Sequence, residues 1–291
     1  MDEARVKYGV LFPHGEIGDD PGLIRDFAQT AEAVGFDFIS SYDHVLGAER
    51  SGRVPPLPGT FDEKSAFHEP LILFGFLAGV TSSIEFALGV LILPQRQVAL
   101  LAKQAAEVDL LSGGRLLLGV GTGWNYVEYS ALGADWRTRG ARQEEQIEVL
   151  RLLWERELVD YQGKWHQLER VAIAPRPKRR IPLWLGGYSD VVLRRAARVA
   201  DGFVFGPNHD ASEYIPRLKG YLQERGRKVS EFGFDVGVPR YGFESDLTAD
   251  VARFRRAGAT AITISATRRG LSPREHVDSL ATLYETVQES K

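Results

Sequence analysis

The chain has no cysteine and a single methionine among its 291 residues. Without cysteine there is no disulfide, no thiolate nucleophile and no cysteine-ligated metal. No apolar run approaches the roughly 20 residues that cross a bilayer. Residues 1–7 (MDEARVK) are charged and lead into an apolar run, so no signal peptide is expected. An excess of one charge is also missing, since 36 basic against 39 acidic residues leave a formal net charge of −3. Nucleic acid and membranes are therefore not expected partners, and a cytoplasmic location is. The six histidines lack the H-x-x-x-H or E-x-x-H spacing of a helical metal site, so no metal is expected. No G-x-S-x-G elbow supports a hydrolase.

What is present is a composition that can bury a large core, 44% hydrophobic and 26% charged. Residues 85–129 set the pattern. Residues 86–93 are apolar with almost no alternation, as in a parallel strand covered on both faces. A helical stripe follows through Val98, Leu101, Ala105, Val108 and Leu111, with Lys103 and Glu107 four apart on the wet side. Gly113 and Gly114 stop that helix and feed a second strand, residues 116–120. Further strands read at 6–12, 36–40, 182–185, 203–205, 232–238 and 261–265. Helix starts are marked by Asp20-Pro21, by Ser189, by Asp210 with Glu213 at capping-box spacing, and by Ser272-Pro273-Arg274-Glu275. Residues 70–81 and 142–158 read as further helices, and residues 159–177 as an irregular insertion with a small hairpin. About eight strands, each followed by a helix, predict an α/β (β/α)8 TIM barrel with insertions, one domain over residues 1–291. A doubly wound sheet is the alternative, but no G-x-G-x-x-G follows the first strand.

Barrel chemistry sits on loops at the C-terminal ends of strands. That rule nominates His14, Asp43 and His44, residues 94–96, 121–125, 186–189 and 207–209, Arg240, and residues 267–269. Gly121-Thr122-Gly123 can admit a flat or phosphorylated ligand to the backbone, or can be a plain turn. Gly186-Gly187-Tyr188-Ser189 exposes N–H groups at a helix start and suits a phosphate, although capping explains Ser189 equally well. Asp43-His44 can move a proton or touch a cofactor ring, or be a loop histidine steadied by its neighbour. Residues 45–69, rich in Gly and Pro, form a loop long enough to act as a lid.

Together GVLILPQRQVALLAKQAAEVDLLSGGRLLLGVGTGWNYVEYSALG, DHV after the second strand and PLWLGGYS after the fifth resemble the bacterial luciferase-like monooxygenase superfamily, and within it the F420-dependent oxidoreductases. The resemblance covers nearly the whole chain. It implies a TIM barrel, commonly a homodimer, that binds coenzyme F420 or FMN in its mouth and acts on a small molecule. It also implies a non-proline cis peptide at Gly89-Val90 behind the cofactor ring. Asp43 and His44 match the pair beside the deazaflavin, with His44 the candidate catalytic group. Gly121, Thr122 and Gly123 match the loop near the ring, and Gly186 and Gly187, with Tyr188 and Ser189, the phosphate loop. His14 and Trp124 are expected in the substrate pocket. Two departures stand out from the sugar-phosphate dehydrogenases: Trp124 replaces an acid after Gly-Thr-Gly, and Ala48 replaces a tryptophan four residues past the histidine. The expected activity is hydride transfer between F420 and a small organic substrate. The alternatives are a reduced-FMN monooxygenase and a non-catalytic flavin-binding barrel.

Overall fold

The structure is a computed structural model that describes residues 5–207, 210–238, 246–267 and 270–289. In chain order its barrel begins with β1 (Lys7–Leu11), α1 (Pro21–Val34), β2 (Phe38–Ser41), α2 (Pro70–Val80), β3 (Glu85–Leu88), β4 (Leu91–Ile92), α3 (Val98–Leu111) and β5 (Leu116–Gly121). A short α4 (Tyr126–Ala131) and a long α5 (Arg139–Glu155) lead to a two-stranded antiparallel hairpin, β6 (Val159–Gln162) and β7 (Gln167–Val171). Then follow β8 (Leu183–Gly186), α6 (Asp190–Val199), β9 (Gly202–Phe205), α7 (Ala211–Glu224), β10 (Gly233–Gly237), α8 (Leu247–Ala257), β11 (Ala261–Ile264), α9 (Pro273–Asp278) and α10 (Leu280–Gln288).

Parallel pairing runs β1-β2-β3-β5-β8-β9-β10-β11 and returns to β1, with β4 extending the β3 position along β5. The barrel is closed with eight strand positions, as the alternation of strands and helices predicts. Apolar stripes seal helices to its outside, with Ile24, Phe27, Ala28 and Ala31 of α1 all buried. The caps follow the sequence signals. Asp20 accepts from the Gly22 amide ahead of Pro21, Gly35 ends α1 at φ 104°, and Ser272 with Glu275 forms the reciprocal box that starts α9.

Several local expectations need correction. The strand expected at 86–93 breaks into β3 and β4 around the Gly89–Val90 peptide, which is cis, as the resemblance implies. Leu111 ends its helix 72% exposed, because the buried face of α3 runs on through Asp109 to Ser112 and Leu111, at the helical period, turns away from it. Asp210 caps α7 through the amide and hydroxyl of Ser212, so the box with Glu213 does not form. The helix expected at 142–158 begins earlier and stops at Glu155, leaving Leu158 half exposed. The final helix is two, parted at Ser279. No helix among the described residues is long and apolar enough to cross a membrane, and none of their His, Asp and Glu side chains gather as a metal site.

Candidate active site

Asp43 and His44 leave the C-terminal end of β2, where the chain emerges at the mouth. Their side chains go to different partners. The Asp43 carboxylate accepts from the Ile92 amide at 2.9 Å and from Arg96 at 2.7 and 3.2 Å. Arg96 also holds Glu69 at 2.8 Å, and Glu69 caps α2 through the Ile72 amide. Burial disfavours the Arg96 cation, but Asp43 and Glu69 outweigh it and hold its pKa above the ordinary value. This triad, in which Asp43 is fully buried, ties the exit of β2 to β4 and to the start of α2.

His44 faces α4. Its Nδ1 lies 3.4 Å from Oε2 of Glu128, a carboxylate 2% exposed that sequence reasoning had not singled out. The other Glu128 oxygen accepts from the Val45 amide and, at 3.1 Å, from the Leu46 amide. Burial pushes this carboxyl up, yet the His44 ring and the two amides hold its pKa net below the usual range, so it is a carboxylate at neutral pH. A carboxylate at Nδ1 fixes the tautomer that leaves Nε2 with its lone pair. Three rings box the imidazole, with centroids of Phe67 at 4.9 Å, Trp124 at 5.1 Å and Phe61 at 5.2 Å.

Phe61 and Phe67 arrive on the 45–69 segment, which lies over the mouth and is fastened along its length. Asn125 donates to the Leu46 carbonyl at 3.4 Å, and Tyr126 donates to the Pro55 carbonyl at 2.7 Å. Gly59 rests on the Trp124 indole, where a Cβ would come within 2.7 Å. At the far end the His68 amide donates to Nδ1 of His14 at 3.2 Å. His14 must then carry its proton on Nε2, which lies 2.8 Å from the Ser41 hydroxyl. It is 1% exposed, and burial, with His68 and His44 nearby, lowers its pKa to about 3. His14, expected in the substrate pocket, thus sits beneath the loop with both ring nitrogens engaged within the chain.

The remaining nominees surround the cis peptide. Gly89 and Val90 are half-buried, and the Val90 side chain presses on β5 and β8. A Cβ on Gly121 would fall 2.5 Å from Val90 Cγ2, and one on Gly186 2.7 Å from Cγ1. Those glycines let the Val90 bulge seat. Thr122 accepts the Tyr129 hydroxyl at its carbonyl, at 2.7 Å. Burial raises the Tyr129 pKa, so that phenol stays neutral. Gly187 takes φ 144° and leads through Tyr188 to Ser189, the cap of α6. Beside Gly89 opens a recess floored by small groups, with Ser40, Gly206, Gly237 and Ser265 among its lining. The recess holds only ≈ 40 Å³ and Asp235 is among its lining, so a flat heteroaromatic ring would rest across it rather than within it, and the start of α6 is suited to a phosphate. Asn208, His209, Arg240 and residues 268–269, also nominated, lie outside the described residues.

The sequence profile described as "Luciferase-like monooxygenase" matches residues 6–283. The chain belongs to this family. An uncharacterized protein of Mycobacterium tuberculosis is 32% identical over 259 residues, 87% of this chain and 88% of that one. A pyrimidine monooxygenase of Acinetobacter baylyi is 31% identical over 255 residues, 78% of this chain and 64% of its own length. An F420-dependent glucose-6-phosphate dehydrogenase of Nakamurella multipartita is 27% identical over 238 residues, 79% of this chain and 66% of its own. Among solved structures, an F420-dependent secondary alcohol dehydrogenase in complex with an F420-acetone adduct superposes with a TM-score of 0.76 at 16% identity. The match covers 97% of this chain and 99% of that one, and bears on the fold.

Within the luciferase-like family the arrangement at Trp124 has local logic. The acid that the resemblance leads one to seek at that position is replaced by an indole over His44. One helical turn later Glu128 brings a carboxylate to the same imidazole. Asn125 makes this possible by capping α4 through the Val127 and Glu128 amides at 3.1 and 3.2 Å, which orients the first turn toward β2.

Proposed function

We propose that this luciferase-like chain is an F420-dependent oxidoreductase that transfers a hydride between the deazaflavin and a small organic molecule. The observation that carries the reading is the His44–Glu128 pair, boxed by Phe61, Phe67 and Trp124 where the mouth and the 45–69 loop meet. F420 is favoured by the named dehydrogenase relative, together with the cradle at Gly121–Gly123 and Gly186–Ser189. In this reading Gly89, Val90, Gly121, Thr122 and Gly123 back the ring, and Gly186, Gly187, Tyr188 and Ser189 take the phosphate. When bound, the deazaflavin supplies or accepts the hydride.

The chain's own residues supply the rest. His44 holds or gives up a proton at Nε2, with Glu128 stabilising the imidazolium across Nδ1. The aromatic box and the loop above it exclude water. Asp43, with both oxygens engaged, positions the β2 exit beside the cofactor. Trp124 offers a flat apolar wall, which favours an apolar or planar substrate over a sugar phosphate. Reduced FMN with oxygen is the second reading, and the 31% identical monooxygenase supports it. A homodimer is part of the proposal, because α2 exposes Ile72 and Phe76 one turn apart and the α3 packed against it exposes Leu100.

Titration with F420 and with FMN, followed by absorbance and fluorescence, tests the core of this reading. Saturable F420 binding is expected. Tight FMN binding with indifference to F420 would replace it with the monooxygenase, and binding of neither would end the redox assignment. Sedimentation velocity at micromolar concentration should show a dimer, and a monomer would remove that part.

A further inference from the structure

Barrels of this class fill their lumen with layers of branched side chains. Here the N-terminal end of the lumen is hollow. Glycines stand at inward positions, and two rings lean over them: a Cβ on Gly9 would fall 2.1 Å from the Phe38 ring, and one on Gly233 2.1 Å from the Trp184 indole. Phe38 rises from β2 and Trp184 from β8, with β3 and β5 between them on one side of the barrel. What remains is a cavity of ≈ 440 Å³, lined largely by Phe38, Ala87, Leu117, Trp184, Val204 and Ala261. Small-molecule sites span roughly 300–1,000 Å³ and combine an apolar lining with a few fixed polar groups.

The fixed polar group is Asp235. It is 4% exposed, and both its oxygens lie 3.0 Å from the Thr263 hydroxyl. Asp235 and Val204 also line the recess at the mouth, so they form a septum between the two ends of the lumen. The rim carries charge, but in pairs. Arg5 holds Asp37 at 3.1 Å, Lys7 holds Glu85 at 2.7 Å, Arg180 holds Asp201 at 3.3 Å, and Lys228 holds Glu231 at 2.8 Å. These rim charges therefore each face a counter-charge, so the rim has no net pull for an ion. A neutral ring loses nothing at the rim and gains contact inside with Trp184 and the little of Phe38 that stays exposed.

We propose that this cavity is a second small-molecule site, which takes an uncharged aromatic molecule of one or two rings between Phe38 and Trp184 and hydrogen-bonds it to Asp235. Burial raises the Asp235 pKa to about 7, so near neutrality a substantial share of the carboxyl carries a proton to donate. The cavity is there whatever the mouth binds. Its occupant touches the septum, which is how its presence would reach the other end.

The test is isothermal titration of 2-naphthol into the wild-type chain, Ala261→Phe and Trp184→Leu, each checked for fold by circular dichroism. Ala261→Phe fills the cavity and Trp184→Leu removes one wall. One saturable site is expected in the wild type, weakened about tenfold or more by each substitution. No saturable binding overturns the proposal. So does binding that ignores both substitutions, because that ligand sits at the mouth or on the surface. If Ala261→Phe does not fold, Trp184→Leu decides alone.

Discussion

The two ends of the lumen solve the same packing problem in opposite ways. The mouth is crowded with rings and ionisable groups, each given a partner: His44 with Glu128, Asp43 with Arg96, His14 with Ser41 and the His68 amide. The N-terminal end is left open, with apolar walls and one buried carboxyl. Crowding at the mouth fixes geometry, which suits chemistry. Openness at the other end leaves room, which suits occupancy. The same eight strands support both, because side chains alternate in layers along each strand and each layer can be filled separately.

The sharpest way to break this contrast is to remove the proposed proton carrier. His44→Ala should lower turnover by about 10²–10³ while leaving cofactor affinity within about twofold, as expected of a general acid–base group. Stopped-flow rates beside a binding titration would show it, and an unchanged rate would strip His44 of its role. Next in size is the buried ion pair. Asp43→Ala leaves the Arg96 cation with one carboxylate and should cost roughly 3–5 kcal/mol by denaturant unfolding. A loss under about 1 kcal/mol would mean that solvent reaches Arg96 and that the mouth is less rigid than described.

The two ends also bend stability with pH in opposite directions. Asp235 binds its proton up to about pH 7 in the folded chain, against 3.8 unfolded, so its penalty grows as pH rises between those values and is complete above. Asp235→Asn should therefore stabilise the protein at pH 8 by an amount on the order of 4 kcal/mol, and by little at pH 4. His14 stays neutral down to about pH 3 while the unfolded ring protonates near 6.5. Stability should accordingly fall as pH drops from 6.5 toward 3, and His14→Gln should flatten that limb. Melting curves from pH 4 to pH 9 measure both, and equal slopes in wild type and variant would refute either attribution. The smallest effect belongs to the loop. Tyr126→Phe removes one hydrogen bond to Pro55 and should cost about 1 kcal/mol locally. It would be seen as faster amide exchange within residues 45–69, with no change in the barrel strands.

Much of this was legible beforehand because local chemistry and tertiary structure agree. Asp20-Pro21, Gly35 and Ser272 to Glu275 mark helix ends through contacts a few residues long, and the folded chain makes those contacts. Asp43, His44 and Trp124 were found because strand ends point to the mouth. Glu128 was not, because its meaning depends on where α4 turns, and that is set by Asn125 at a loop end no periodicity reaches. Phe61 and Phe67 were hidden for a similar reason: nothing local says that a Pro- and Gly-rich loop returns across His44. Asp235 sits in a strand as an inward polar residue, and only closure of the barrel shows that it is shut away from water. Leu111 failed in the other direction, because the helical period carries the buried face from Ala105 through Asp109 to Ser112 and leaves Leu111 off it.

One carboxylate does two jobs at the mouth. Glu128 steadies the imidazole with one oxygen and grips the first two amides of the covering loop with the other. Lifting that loop takes two donors from the carboxylate and two rings from the imidazole in the same movement. On the role proposed for His44, the cover and the proton carrier are thus one part: opening the mouth removes the loop's grip on Glu128 and the aromatic box around the imidazole together.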